Sequence, residues 1–385
     1  VADTRDPSLD NLDMLVTELH RHSPAGSASD EDARTLAAWL GQVRAMDGSD
    51  LLLVAGLPPT VRVKGVASPL PGQPLTAEDI ERVVSTIVPF RLRERYRAGE
   101  SIDLAFTIRG FGRFRVNLHR ERGRAAAAIR ALPMRIPRIP ELHFSHDIAI
   151  LSELPRGLVL VCGPTGSGKT TTLAALIAEI NARHSRHIVT VEDPIEYEHP
   201  HGRSVVEQIE IGIDAPDFPA ALRSAVRQAP DVIVVGEMRD PETMRMAVSA
   251  AETGHLVLAT VHATDAAAAV SRIADGFPAE RQNAVRMELA MALAAVLTQS
   301  LVPTRAGTVV PVAELLMVSY GARQHIRKNA LQHLNQEITI TRKAGSFTLE
   351  ESLARFVQTG ALEKAEATLR AAHPEELESL LRARA

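Results

Sequence analysis

GLVLVCGPTGSGKTTTLAALIAEI, residues 157–180, is the stretch on which the fold turns. Residues 157–162 are an apolar run too short for a helix and bounded by glycine, which reads as a strand buried on both faces. GPTGSGKT, residues 163–170, follows it and opens directly into the apolar helical pattern TTLAALIAEI. Strand, glycine loop and helix in that order are the context a phosphate-binding loop requires, so a chance glycine turn is set aside. Gly163, Gly166 and Gly168 let backbone N–H groups approach phosphate oxygens, and the helix N-terminus adds the positive end of its dipole. The expected nucleotide-binding run is Gly163, Pro164, Thr165, Gly166, Ser167, Gly168, Lys169, Thr170 and Thr171. In it Lys169 supplies a point charge for the β and γ phosphates of ATP, and Thr170 is the expected Mg2+ ligand.

Downstream, strand-like and helical runs alternate: HIVTVED (187–193), FPAALRSAVRQA (218–229), DVIVVGE (231–237), PETMRMAVSAAETG (241–254) and HLVLATVH (255–262). That alternation predicts a parallel sheet with helices on its faces. AAAAVSRIADGF (266–277) and RQNAVRMELAMALAAVLTQSL (281–301) read as helices, a strand is expected at Val309 to Leu316, and short helices follow.

Acids at strand ends in such a sheet lie beside the phosphate loop. Glu237 ends one strand and is placed to order Mg2+ or water. Gly236 occupies the position where such strands usually carry Asp, so the expected metal contact of Glu237 runs through water. Glu192 and Asp193 end another strand, where a carboxylate can accept a proton from attacking water. The sequence leaves open which acid is the base. His255 and His262 bracket a third strand, where a neutral imidazole can report a γ phosphate. Cys162 precedes the loop on a buried strand and reads as packing.

Upstream, residues 1–34 are polar and read as an N-terminal extension with one weakly amphipathic stretch, Leu12 to His20. A helix is expected from Thr35, then extended segments at Leu51 to Val54 and Thr60 to Val66. Thr76 and Asp79 form a capping-box pattern ahead of AEDIERVVSTIV. SIDLAFTIRGFGRFRVNLHRE (101–121) predicts two strands with Gly110 and Gly112 in the turn. Pro133, Pro137 and Pro140 mark a connector over 133–140. The reading is thus an α+β domain over 35–132 and an α/β domain over 141–385, helical from about 317.

Composition sets outer limits. With 385 residues, 45% apolar and 23% charged, the chain has material for two or three cores and no disorder signature. The apolar run Leu289 to Leu297 is too short to span a bilayer, and a single cysteine leaves no CxxC pair for zinc. A cytoplasmic location is expected. The net charge of −4 offers no general field for nucleic acid. Yet from Arg91 to Arg138 there are thirteen arginines and four acids, a local charge of +9. Arg113 and Arg115 flank Phe114, so on a strand both point to one face, a pair suited to phosphate.

Taken in order, these motifs resemble the secretion ATPase superfamily, most closely the PilT/PilU-type ATPases of type IV pilus retraction. The resemblance rests on SDLLLVAGLPPTVRVKG (49–65), FGRFRVNLHRERGRAAAAIRALP (111–133), GPTGSGKT, VTVEDPIEYEH (189–199), VIVVGEMRDPETM (232–244) and AAETGHLVLATVHATDAAAAVSRIADGFP (250–278). It implies a PAS-like N-terminal domain joined to a RecA-like P-loop ATPase core, assembling as a homo-hexamer. It also implies that Arg115 and Arg130 reach the γ phosphate, that Glu237 and Glu192 act on water and Mg2+, and that His262 senses nucleotide state. The expected partners are an inner-membrane pilus platform protein and a paralogous pilus ATPase, with no nucleic acid. The short N-terminus and the missing zinc pattern favour retraction over extension. The family's AIR..IRE-like element stands here as GARQHIRK, Gly321 to Lys328. The rival readings are a nucleotide-regulated accessory protein that relies on a partner ATPase, and a nucleic-acid motor.

Overall fold

The computed structural model describes residues 16–17, 29–108 and 111–383. The Leu12 to His20 stretch lies outside the described residues apart from Val16 and Thr17, as does Gly110. Two compact units part between Arg135 and Ile136.

The first unit begins with a helix at Asp30–Ala45, five residues earlier than the apolar pattern suggests. The cause is local. Ser29 and Asp32 exchange hydrogen bonds in a capping box, and Asp30, Glu31 and Asp32 complement the helix dipole in the first turn. Thr76 and Asp79 form the second, expected box and start the helix Ala77–Ser85. A third helix spans Phe90–Arg97. These pack on a six-stranded antiparallel sheet of order β3-β2-β1-β6-β5-β4. The strands are β1 (Asp50–Val54), β2 (Thr60–Val63), β3 (Val66–Pro69), β4 (Ile102–Ile108), β5 (Gly112–Glu121) and β6 (Arg124–Ala131). Alternation along β5 sends Phe114, Val116 and Leu118 into a core with Leu36, Leu40 and Ile80. Phe114 stacks on Phe106 with ring centroids 5.4 Å apart.

In the second unit a seven-stranded sheet has the order β13-β12-β7-β11-β10-β8-β9. The strands are β7 (Gly157–Cys162), β8 (His187–Glu192), β9 (Val205–Glu210), β10 (Val232–Val235), β11 (Leu256–Val261), β12 (Leu293–Pro303) and β13 (Val309–Met317). All neighbours are parallel except β12 and β13, which pair antiparallel at one edge. Leu158, Leu160 and Cys162 of β7 join a core on one face of the sheet, while Val159 and Val161 join a core on the other. A buried parallel strand must be apolar on both sides, which is why this run shows no alternation.

The helical reading of residues 281–301 is corrected here. The helix is Ala279–Ala292, and from Leu293 the chain runs as β12 beside β7. LAAVLTQSL has no strict helical period, and hydrogen bonding to the otherwise open edge of the phosphate-loop strand decides its form.

Candidate active site

The phosphate loop leaves the carboxyl end of β7 and enters the helix Lys169–Arg183. Gly163 has φ 149° and Gly168 φ 87°, and a Cβ on Gly163 would run into Gln299 O and Ser167 Oγ. Gln299, from β12, binds the loop from behind. Its Nε2 donates to Ser167 O at 2.7 Å, and its Oε1 accepts from Thr172 Oγ1 at 2.9 Å. Lys169 Nζ donates to Gly163 O and Pro164 O, both at 2.9 Å. Burial lowers the Lys169 pKa, against the opposing pull of Glu237. Thr170 lies on the wall of the cleft that also takes in Glu192, Gly236 and Glu237. Thr171 Oγ1 lies 3.1 Å from Tyr197 Oη.

Glu192 and Glu237 come from the carboxyl ends of β8 and β10, which are adjacent, with Val191 opposite Val235. Gly236 is there for space. A Cβ would stand 3.1 Å from Val191 O and 3.3 Å from Glu192 Cα, so an aspartate at this position would be crowded against β8. Thr260 Oγ1 donates to Gly236 O at 2.5 Å and fixes the turn.

Different surroundings push the two carboxyls apart. Burial raises the pKa of Glu192, offset in part by hydrogen bonds from Thr190 Oγ1 (2.6 Å) and Gln208 Nε2 (3.1 Å). Burial also acts on Glu237 but is outweighed there by Arg239 and His262, which hold its pKa low. Arg239 lies 2.8 Å from Glu237 Oε2 and His262 Nε2 3.0 Å from Oε1. Paired carboxyls with opposed preferences are a recurrent arrangement for acid–base work.

Of the two bracketing histidines, only His262 meets these acids. His255 precedes β11, roughly 20 Å away at the strand's rise of about 3.3 Å per residue, and its Nδ1 lies 2.9 Å from Ala250 O. His262, the histidine that the resemblance singles out, is thus the one of the two that stands among these acids. Cys162 is buried, and burial pushes its thiol up to about 12, as a packing residue requires. No cluster of three His, Cys, Asp or Glu suited to a metal occurs among the described residues.

Arg115 and Arg130 belong to the first unit, where they stand directly opposite each other on β5 and β6. The cross-strand row continues to Asp50 on β1, whose Oδ1 lies 2.9 Å from Arg130 Nε. Arg115 approaches Asp103 at 3.9 Å. Two guanidinium groups directly opposed on an accessible face repel, a cost that the flanking Asp50 and Asp103 carboxylates offset. Arg113 shares this face and donates to Thr107 Oγ1 at 2.9 Å.

Three comparisons place this architecture. The profile of the family described as "Type II/IV secretion system protein" matches residues 141–376. The type IV pilus retraction ATPase PilT of Pseudomonas aeruginosa is 39% identical over 327 residues, 85% of this chain and 95% of the relative. The chain belongs to the type II/IV secretion system protein family. Within this family the type IV pilus ATPase PilU of the same organism is 38% identical over 81% of this chain and 82% of the relative. A crystal structure of the pilus retraction motor PilT with bound ADP superposes with a TM-score of 0.81 at 39% identity, covering 88% of this chain and 98% of that one. The chain is thus a P-loop ATPase of the PilT/PilU type, with an N-terminal domain ahead of the ATPase core.

Gln208 and Gln299 escaped the sequence reading. Gln208 donates to Glu192 Oε1 and to Tyr197 O, and accepts from His199 N at 2.8 Å. Burial drives the His199 pKa down to about 4, keeping a neutral ring in the acidic cleft. No local pattern marks either glutamine, because Gln208 acts across to the neighbouring strand β8 and Gln299 on a loop and helix 127 to 132 residues away in sequence.

Proposed function

We propose that this chain hydrolyses ATP as the hexameric motor of type IV pilus retraction, working at the cytoplasmic face of the inner membrane. One observation carries the chemistry: Glu192, Glu237 and His262 gather at the carboxyl edge of the same sheet from which the phosphate loop departs. The loop N–H groups and Lys169 hold the β and γ phosphates. Glu192, made more basic by burial, accepts the proton of the attacking water. Thr170 and the ionised Glu237 present hard oxygens that suit Mg2+, with Glu237 acting through a water; a cation that retains several waters needs no larger carboxylate cluster. Bound there, Mg2+ supplies neutralising charge to the phosphates. Arg115 and Arg130 stabilise charge that develops in the transition state, an effect on the order of 10³ or more in rate. His262, linked to Glu237, registers the state of the nucleotide.

The extent of the match to PilT, 95% of that relative's length, supports retraction as the task. The expected partners are a platform protein in the inner membrane and a PilU-like paralogue; no described helix is long and apolar enough to cross a membrane. The test is imaging of fluorescently labelled pili in the source organism. Deletion of the gene stops pili from shortening, and the Glu192→Gln variant fails to restore it. Pili that shorten at an unchanged rate in the deletion strain contradict the proposal.

A further inference from the structure

A carboxylate that takes a proton from water must be held in one orientation, and burial alone gives it none. β9 pairs with β8 in parallel, with Gln208 directly opposite Thr190. Side chains opposite each other, and those two residues apart on one strand, share a face of the sheet. Thr190 and Gln208 therefore converge on the same carboxylate. Thr190 Oγ1 donates at 2.6 Å and Gln208 Nε2 at 3.1 Å, both to Glu192 Oε1.

The Gln208 amide is itself fixed. Its Nε2 also donates to Tyr197 O at 2.9 Å, and its Oε1 accepts from His199 N at 2.8 Å. A backbone carbonyl only accepts and a backbone N–H only donates, so a turned amide would set oxygen against Tyr197 O and NH2 against His199 N–H. The donor must face Glu192. Glu210, two residues further along β9, accepts from Ile195 N at 3.1 Å and pins the same segment to the strand. Tyr197 is tied at its other end, where its hydroxyl lies 3.1 Å from Thr171 Oγ1 in the first turn of the helix that follows the phosphate loop. Hydrogen bonds thus run from that helix through Tyr197 and Gln208 to the carboxylate. Both donors also favour the ionised carboxylate, against the burial that favours the neutral acid.

We infer that Gln208 and Thr190 are positioning residues of the hydrolytic step, holding the Glu192 carboxylate in the orientation from which it takes the proton of the attacking water. The inference rests on Glu192 as the proton acceptor. Both residues act through Glu192, while nucleotide binding falls to the loop amides and Lys169.

Two variants test it in the full chain. Gln208→Met keeps the length of the side chain and removes the amide. Thr190→Val keeps the shape of a buried side chain, removes the hydroxyl and leaves the bonds to Tyr197 and His199 in place. Turnover is measured against ATP concentration and expressed per nucleotide site counted by ADP titration, so that any unfolded chain drops out. Each variant lowers kcat about 10- to 100-fold, the cost of a misplaced catalytic group, with KM for ATP within about twofold of wild type. Both substitutions are then placed in the Glu192→Gln background. No carboxylate remains there to be positioned, and neither substitution lowers the residual turnover further. A residue that merely supports the fold would instead raise KM, or lower turnover by the same factor in both backgrounds. Either of those results, or unchanged kcat in either variant, overturns the inference and leaves Glu192 as the acceptor. Failure of the reading beneath it looks different: Glu192→Gln then turns over ATP at the wild-type rate, and the inference falls with it.

Discussion

Glu192 and Glu237 stand one residue out of step at the ends of neighbouring parallel strands, yet burial dominates one and an arginine–histidine pair the other. Glu192→Gln keeps the hydrogen bonds from Thr190 and Gln208 possible while removing the proton acceptor. Its turnover should fall about 10²- to 10⁴-fold with ATP affinity nearly unchanged, a split read from kcat and from nucleotide binding. A second buried acid gives a stability prediction. Glu314 on β13 accepts from Ala266 N at 3.1 Å, and burial pushes its pKa to about 7. A carboxyl whose folded pKa exceeds its unfolded value contributes stability that is complete below about pH 4.5 and is lost as pH rises to about 7. Glu314→Gln retains the acceptor and abolishes the titration. Relative to wild type it should gain stability between pH 5 and pH 8, by up to about 3 kcal/mol, in urea unfolding at the two pH values. A pH-independent difference would count against the buried-acid reading.

At the scale of elements, β12 contributes most where the sequence says least. The strand–loop–helix run at 157–180 and the capping box at Thr76 were legible because their signals are local. Leu293–Pro303 was not, since the nine apolar residues from Leu289 to Leu297 run unbroken across the helix end and satisfy a helix or a buried strand, and only the partner β7 chooses. The alanine-rich Arg124–Ala131 gives no strand signal of its own either, and it becomes β6 through pairing with β1 and β5 on its two sides. Gln299→Leu should therefore loosen the phosphate loop while β12 stays paired. It should reduce ATP affinity about tenfold, measured by nucleotide titration, as expected for leaving Ser167 O and Thr172 Oγ1 without their partner. The helix Tyr320–Arg327, the counterpart of the family's AIR..IRE-like element, also has a physical reason for its departure. A Cβ on Gly321 would strike the buried Glu337 carboxylate, which accepts from Ser319 Oγ at 2.5 Å. Gly321→Ala gains helix propensity of about 1 kcal/mol but crowds this contact, at a cost of about 1–3 kcal/mol. The variant should be less stable than wild type, and Glu337→Ala beside it should relieve the loss in a double-mutant cycle.

Across the whole molecule, two units divide the chemistry. The phosphate loop, both glutamates and His262 sit on the parallel sheet of the second, and the opposed Arg115–Arg130 pair sits on the antiparallel sheet of the first. Sequence order made the parallel sheet and the loop readable, because each βα step announces itself in turn. The distribution of charge was readable only in part. A surplus of nine positive charges between Arg91 and Arg138 is plain in the sequence. Its partition between a cross-strand row through Asp50 and the helix Phe90–Arg97 depends on strand register and helix packing. The proposed ring motor needs its own loop lysine and its neighbours. The most direct measurement is Mg2+-dependent phosphate release by the purified chain over a range of protein concentrations, with Lys169→Ala measured alongside. The account predicts turnover that disappears in Lys169→Ala and whose specific activity rises with protein concentration; ATP binding with no Lys169-dependent turnover at any concentration would contradict it.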